Sequence, residues 1–159
     1  MIQIVKDSDT RPWFFLQTAH TTYGIRVMET VHLEHLYYGE RITVDLQDPS
    51  SCAPLVIQRA FAPGNTCTYD REHPQISMED VCLEVGTLGK GDIREPFLEV
   101  RFADGSVTTD FTFDSYEVIT LKEREQCLQD SGLPHSYSEA ETDSAECLQI
   151  VLQDVTNHL

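Results

Sequence analysis

The chain is predicted to be all-β, an antiparallel β-sandwich, and three observations carry that prediction. Aromatic and β-branched residues recur in short runs, several with period-two alternation. Gly, Pro, Asn and Asp punctuate the gaps between them, and no stretch shows a capped, sustained helical period. A length of 159 residues buries a sizeable core, and no shift of composition divides residues 1–159, so a single domain is expected.

Ile2-Gln3-Ile4-Val5 opens as a short strand, and Lys6-Asp7-Ser8-Asp9-Thr10-Arg11-Pro12 is turn material. Trp13-Phe14-Phe15-Leu16-Gln17-Thr18 and Thr21-Thr22-Tyr23-Gly24-Ile25-Arg26-Val27-Met28 then form a hairpin about Ala19-His20, and residues 31–38 add a third strand to it. His32 and His35 invite a metal reading, but ligands three apart on a strand point to opposite faces, so each is expected to face core or solvent separately. Between residues 39 and 80 the periodicity fades. Pro49, Ser50, Ser51, Pro54, Pro63, Gly64, Asn65 and Pro74 mark a loop-rich region broken by the apolar Leu55-Val56-Ile57. Long ordered loops in a domain of this size are often functional.

The chain is organised around Gly89-Lys90-Gly91-Asp92-Ile93-Arg94 and the alternating run after it. Leu98, Val100 and Phe102 alternate with Glu99, Arg101 and Ala103, Asp104-Gly105 is a tight-turn signal, and Val107, Thr109, Phe111 and Phe113 stay in phase beyond it. A hairpin is expected here, with Gly91 at positive φ or against a close backbone. Tyr116-Glu117-Val118-Ile119-Thr120-Leu121 continues as strand, residues 122–130 read as loop, and residues 139–146 form an acidic connector without the spaced glycine of a calcium loop. Residues 147–155 make a last strand.

Charge and motif content exclude several functions. With 27 acidic against 11 basic residues and a formal charge of -16, a phosphate backbone or an anionic membrane would be repelled, so nucleic acid and membrane are not expected partners. No apolar run reaches membrane-span length, and the N-terminus lacks the order of a signal peptide, which makes the cytoplasm the default location. Cys52, Cys67, Cys82, Cys127 and Cys147 are odd in number and contain no C-x-x-C pair, so free and mostly buried thiols are expected rather than disulfides or zinc. No nucleophile elbow, Walker loop or H-E-x-x-H occurs, and neither cofactor nor metal is expected.

Acid-base chemistry, if present, falls to Asp92, Glu95 and Glu99, with Arg94 as a clamp for a carboxylate or a sugar hydroxyl. The structural alternative is favoured: Asp92 accepts N–H groups of the glycine loop, and Arg94 pairs with an acid on a neighbouring strand. A free-standing carbohydrate-binding module is the runner-up, with exposed Trp13, Tyr37, Tyr38 or Tyr69 stacking on sugar faces.

Three segments carry a resemblance to a known family. Gly89-Lys90-Gly91-Asp92-Ile93-Arg94 with its adjoining strand, His35-Leu36-Tyr37-Tyr38-Gly39-Glu40-Arg41-Ile42, and Ser131-Gly132-Leu133-Pro134-His135-Ser136-Tyr137-Ser138-Glu139 resemble, in order and spacing, the N-terminal domain of the microbial α-galactosidases of glycoside hydrolase family 36. The resemblance implies a β-supersandwich, of which this chain is the opening part, with open sheet edges where further strands would pair. It implies a homo-oligomeric full-length parent hydrolysing melibiose, raffinose and related oligosaccharides. In that family two catalytic aspartates lie in a (β/α)₈ barrel after the N-terminal domain, and this chain has neither the alternating pattern nor the length for one. No catalytic residue is therefore assigned. The N-terminal domain is expected to serve assembly, with a loop shaping a neighbouring subunit's active-site mouth. The matching region is residues 45–61, where Arg59 with Asp45 or Asp48 is the candidate substrate-proximal set, while Gly89, Gly91, Asp92 and Arg94 form a structural loop.

Overall fold

A computed structural model of the chain describes residues 1–7, 11–57, 68–120, 123–124 and 146–157. Four strands, β1 (Ile2–Lys6), β2 (Pro12–Gln17), β3 (Thr21–Val27) and β4 (Leu33–Glu40), form an antiparallel meander in chain order. A second antiparallel sheet pairs β5 (Phe111–Thr120) with β6 (Glu146–Asp154). The expected all-β sandwich is what forms. The β2–β3 hairpin turns at Ala19-His20 as the sequence predicts, and it does so without glycine because Thr18 Oγ1 accepts the N–H groups of His20 (3.1 Å) and Thr21 (2.9 Å).

The meander is covered on both faces, which explains the unbroken apolar run in β2. On one face Phe14, Ile25, Val27 and Leu33 meet Phe113, Tyr116, Leu148, Ile150 and Leu152 of the second sheet, with Phe14 edge-on to Tyr116 at 5.0 Å. On the other, Val5, Trp13 and Phe15 meet Cys52, Val44, Leu55 and Val56. Cys52 is carried there by a 3-10 helix, Pro49–Leu55, where the sequence predicts loop. Its signal is nonetheless present: Asp48 caps it by accepting from Ser50 N–H, and Pro49 stands just inside its start. A shorter 3-10 helix, Met78–Asp80, joins Met28, Ile76 and Val81 in a third cluster. Residues 82–84 extend the sheet beyond β4, since His35 N–H donates to Cys82 O and Glu84 N–H to Leu33 O.

The central hairpin forms only at its tip. Gly105 has φ 89, Phe102 N–H bonds Ser106 O (2.9 Å), and Asp104 accepts from Ser106. The flanks, residues 97–103 and 107–110, form no ladder, Phe97 and Leu98 are exposed, and β5 begins only at Phe111 and takes β6 as its partner. Alternation specifies an extended segment with one apolar face; it does not specify which strand accepts its hydrogen bonds. Among the described cysteines, Cys52, Cys82 and Cys147 are free, with Cys52 buried, Cys147 half-buried and Cys82 exposed, while Cys67 and Cys127 lie outside the described residues. Residues 131–139, most of 122–130 and the acidic connector up to residue 145 lie outside the described residues.

One buried carboxylate ties these pieces together. Asp110, only 1% exposed, accepts from His32 Nε2 at 2.8 Å, from the Tyr69 hydroxyl at 2.9 Å and from Lys90 Nζ at 3.2 Å. Its backbone N–H donates to the buried Asp154 carboxylate (3.0 Å), and its carbonyl accepts from Val155 N–H (3.0 Å). Burial alone would push the Asp110 carboxyl up, but His32, Tyr69 and Lys90 outweigh it and hold the group below the usual carboxylate range. Asp154 is held low in the same way, with Asn157 and the backbone N–H groups of Asp110 and Thr156 outweighing burial. His32 reaches Asp110 because the β3–β4 turn is tight: Val31 N–H bonds Met28 O, and Val31 adopts φ 65, an uncommon angle for a β-branched residue. Val31 O in turn accepts from Phe113 N–H at 2.7 Å, so the strained residue is held from the second sheet.

Two outcomes are expected. Because both carboxyls are depressed in the folded state, their stabilisation is present above the unfolded value near ~4 and is lost as pH falls through the folded value. Urea midpoints should therefore hold from neutral pH down to about 5 and fall below about 4. Asp110→Asn should cost about 3 kcal/mol at neutral pH and flatten that acid slope, and an unchanged midpoint would contradict it. Val31→Asn, at a partly exposed position, should raise stability by about 1 kcal/mol by relieving the left-handed strain, read as a higher urea midpoint.

Candidate functional site

The glycine loop is built for close approach. Gly89 and Gly91 have φ 98 and 88, and a Cβ on Gly89 would lie 2.5 Å from Thr108 Cγ2. Asp92 and Arg94 differ in detail from expectation. The N–H that Asp92 accepts is that of Arg94 (3.0 Å) and not one of the glycine loop, and the acid that pairs with Arg94 is Asp92 itself, through Nε (2.8 Å) and Nη2 (2.7 Å). The reason is local: a residue two positions on in a turn lies nearer than any neighbouring strand. Arg94 Nη2 also donates to the carbonyls of Met78 (3.0 Å) and Val81 (2.7 Å), stitching the loop to the second 3-10 helix. Arg94 holds the Asp92 carboxyl well below the usual carboxylate range. Glu95 and Glu99 are exposed, while Asp92 is buried and bound to Arg94.

Asp45 and Asp48 shape their own turns. Asp45 accepts Gln47 N–H (2.9 Å), and Asp48 accepts both the N–H (3.0 Å) and hydroxyl (2.6 Å) of Ser50. Both are exposed, whereas Arg59 lies outside the described residues. Of the aromatics considered for stacking, Trp13 is buried, Tyr69 is engaged by Asp110, and the Tyr37 hydroxyl donates to Glu40 O; Tyr38 is 71% exposed. His32 and His35 serve different carboxylates, Asp110 and Glu84. Among the described residues no group of three His, Cys, Asp or Glu side chains could hold a metal ion.

Sequence reasoning missed a cleft of about 340 Å³ at one end of the meander. Strand register places Trp13 of β2 opposite Arg26 of β3, and Arg26 opposite Glu34 of β4, so the three side chains stand in one row across the sheet. The Arg26 guanidinium lies 5.2 Å from the Trp13 ring centroid, and Nε and Nη2 both reach Glu34 Oε2 at 2.7 Å. Gln75 and Glu29 also line the cleft, with Gln75 Nε2 donating to Glu29 Oε1 at 2.7 Å, together with Asp7, Arg11, Ile76 and Val81. The available signal was Arg26, a single charge within the otherwise apolar and hydroxylic run of β3.

Comparison with known proteins gives the frame for these residues. The family described as "Glycosyl hydrolase family 36 N-terminal domain" matches residues 31–159. The chain is 34% identical over 142 residues to the bifunctional α-galactosidase/sucrose kinase AgaSK of Mediterraneibacter gnavus, covering 89% of this chain and 14% of that protein. It is 30% identical over 141 residues to the α-galactosidase AgaA of Geobacillus stearothermophilus, covering 89% of this chain and 18% of that protein. The crystal structure of the α-galactosidase from Lactobacillus brevis superposes with a TM-score of 0.67 at 26% identity, over 90% of this chain and 18% of that one. The chain thus spans less than a fifth of each of these relatives.

Gly89→Ala should destabilise the chain by about 2 kcal/mol or more, since it meets both an unfavourable φ and the Thr108 side chain. Thermal melts check this, and a melt equal to wild type would contradict the geometry.

Proposed function

The chain belongs to the glycosyl hydrolase family 36 N-terminal domain, and on that premise we propose that it is the non-catalytic opening domain of an α-galactosidase, serving assembly of a homo-oligomer and shaping a neighbouring subunit's active-site mouth. The observation that carries this is the match of an N-terminal domain over residues 31–159 in a chain that spans 14% of an α-galactosidase relative. Hydrolysis of terminal α-galactosides, such as melibiose and raffinose, belongs in this reading to a barrel elsewhere in the polypeptide. The commitments of the buried carboxylates support it: Asp92 is bound to Arg94, Asp110 to three donors, and Glu34 to Arg26. A general acid needs a raised pKa and a path to the substrate, and Asp92 and Asp110 are instead depressed and buried.

Residues 45–61 are the segment proposed to approach the neighbour. Asp45 and Asp48 stand exposed at its start, and Leu55 and Val56 anchor it to the core. Arg59 is proposed to donate hydrogen bonds to sugar hydroxyls there, with Asp45 or Asp48 accepting. The location proposed is the cytoplasm; among the described residues no helix is long and apolar enough to cross a membrane.

The test uses both the chain and the full-length polypeptide. The chain alone should not hydrolyse an aryl α-galactoside, and turnover abolished by Asp92→Ala would overturn the reading. In the full-length enzyme Arg59→Ala should lower kcat/KM on raffinose by about tenfold with little change in melting temperature. Unchanged kinetics in an intact oligomer would remove Arg59 from the site.

A further inference from the structure

We propose that Asp104-Gly105, at the tip of the central hairpin, is a site of spontaneous aspartyl isomerisation, and that Ser106 sets its rate. It is the chain's single Asp-Gly step, and residues 103–106 are all exposed. Ring closure brings the Gly105 nitrogen to the Asp104 carboxyl carbon, so the residue after the aspartate controls access. Gly105 has no Cβ, and one placed there would meet nothing within 4 Å, so neither the residue nor its surroundings shield the approach. The next two aspartates are placed differently: Asp110 is buried and followed by Phe111, and Asp114 stands inside β5 and is followed by Ser115. The reaction balances with water alone. The Gly105 nitrogen attacks Asp104 Cγ, a C–N bond forms, the hydroxyl of the neutral acid leaves as water with the N–H proton, and a cyclic imide results. Water then adds to either imide carbonyl, and opening at the former main-chain carbonyl leaves the backbone running through the side chain as isoaspartate. The turn opposes the first step twice. Asp104 Oδ1 accepts Ser106 N–H at 2.9 Å and the Ser106 hydroxyl at 2.8 Å, which together favour the anion over the reactive acid and hold the carboxyl below the usual carboxylate range. Gly105 N–H is itself engaged by Phe102 O at 2.9 Å. Isoaspartate adds a carbon to the turn that Phe102 N–H and Ser106 O close at 2.9 Å, and the flanks have no ladder among the described residues to restore it.

The test ages the chain in heavy-oxygen water and digests it in ordinary water, so that each passage through the imide leaves a heavy oxygen behind. Electron-transfer fragmentation of the tryptic peptide 102–122 then reads Asp104, Asp110 and Asp114 separately. Label and isoaspartate should accumulate at Asp104 ahead of the other two, and faster at about pH 5 than at about pH 7, since only the neutral acid cyclises. Ser106→Ala, at an exposed position that leaves the core intact, should speed the reaction by up to about fivefold, the worth of one hydrogen bond. The wild-type chain unfolded in urea, which lacks the whole turn, should react faster again. A Ser106→Ala chain that ages at the wild-type rate, label spread evenly over the three aspartates, or no isoaspartate at position 104 in any sample would each overturn the proposal. Because the readout contains neither sugar nor turnover, its failure leaves the non-catalytic reading and the assembly role untouched.

Discussion

A carboxylate removed from water must be met by donors, and in this chain that requirement falls on Asp110. Its partners come from the β3–β4 turn, from the segment at Tyr69 and from the glycine loop, while its main chain is held by the end of β6. These pieces are distant in sequence and converge on the one carboxylate, with the His32 ring edge-on to Tyr69 at 4.9 Å and Lys90 over the Tyr69 ring beside it. Leaving such a group unpaired costs more than any one of its contacts gains, which makes the arrangement close to all-or-none. The strain at Val31 is intelligible on the same terms: a left-handed valine is tolerated because it delivers His32 to Asp110 and its own carbonyl to Phe113.

The second organising constraint is the double burial of the meander. Phe14 and Phe15 are adjacent, fully buried and on opposite faces, so β2 is the layer common to both cores. That placement has a consequence at the sheet's end. The row through Val5, Trp13, Arg26 and Glu34 begins in the core and finishes where covering residues give way to the cleft. Arg26 and Glu34 are tolerated in so apolar a sheet because each satisfies the other and the guanidinium lies against the indole.

Membership of the family 36 N-terminal domain makes the economy of charged groups here understandable. Several carboxylates here are used to fold loops: Asp48 caps a 3-10 helix, Asp92 holds Arg94, and Asp110 gathers segments. Residues 97–103 are apolar on alternate positions and form no ladder among the described residues.

Much of this was legible in the residues themselves. The meander, the Ala19-His20 turn, the last strand and the positive φ of Gly91 arise from alternation, β-branching and glycine chemistry, which act within a few residues of one another. Strand pairing over residues 97–113 differs from the sequence expectation because alternation states which face is apolar and leaves the partner open; β6, far along the chain, is the partner of β5. The cleft was invisible for a related reason. Trp13, Arg26 and Glu34 become neighbours only through the register of three strands, and Gln75 joins the lining of the same cleft from a loop. Local sequence determined which stretches extend and where they turn, because steric limits on φ and ψ are local. Which distant partners Asp110 and Glu34 met was decided by the tertiary structure, because desolvation is felt only once distant segments have closed over a charge.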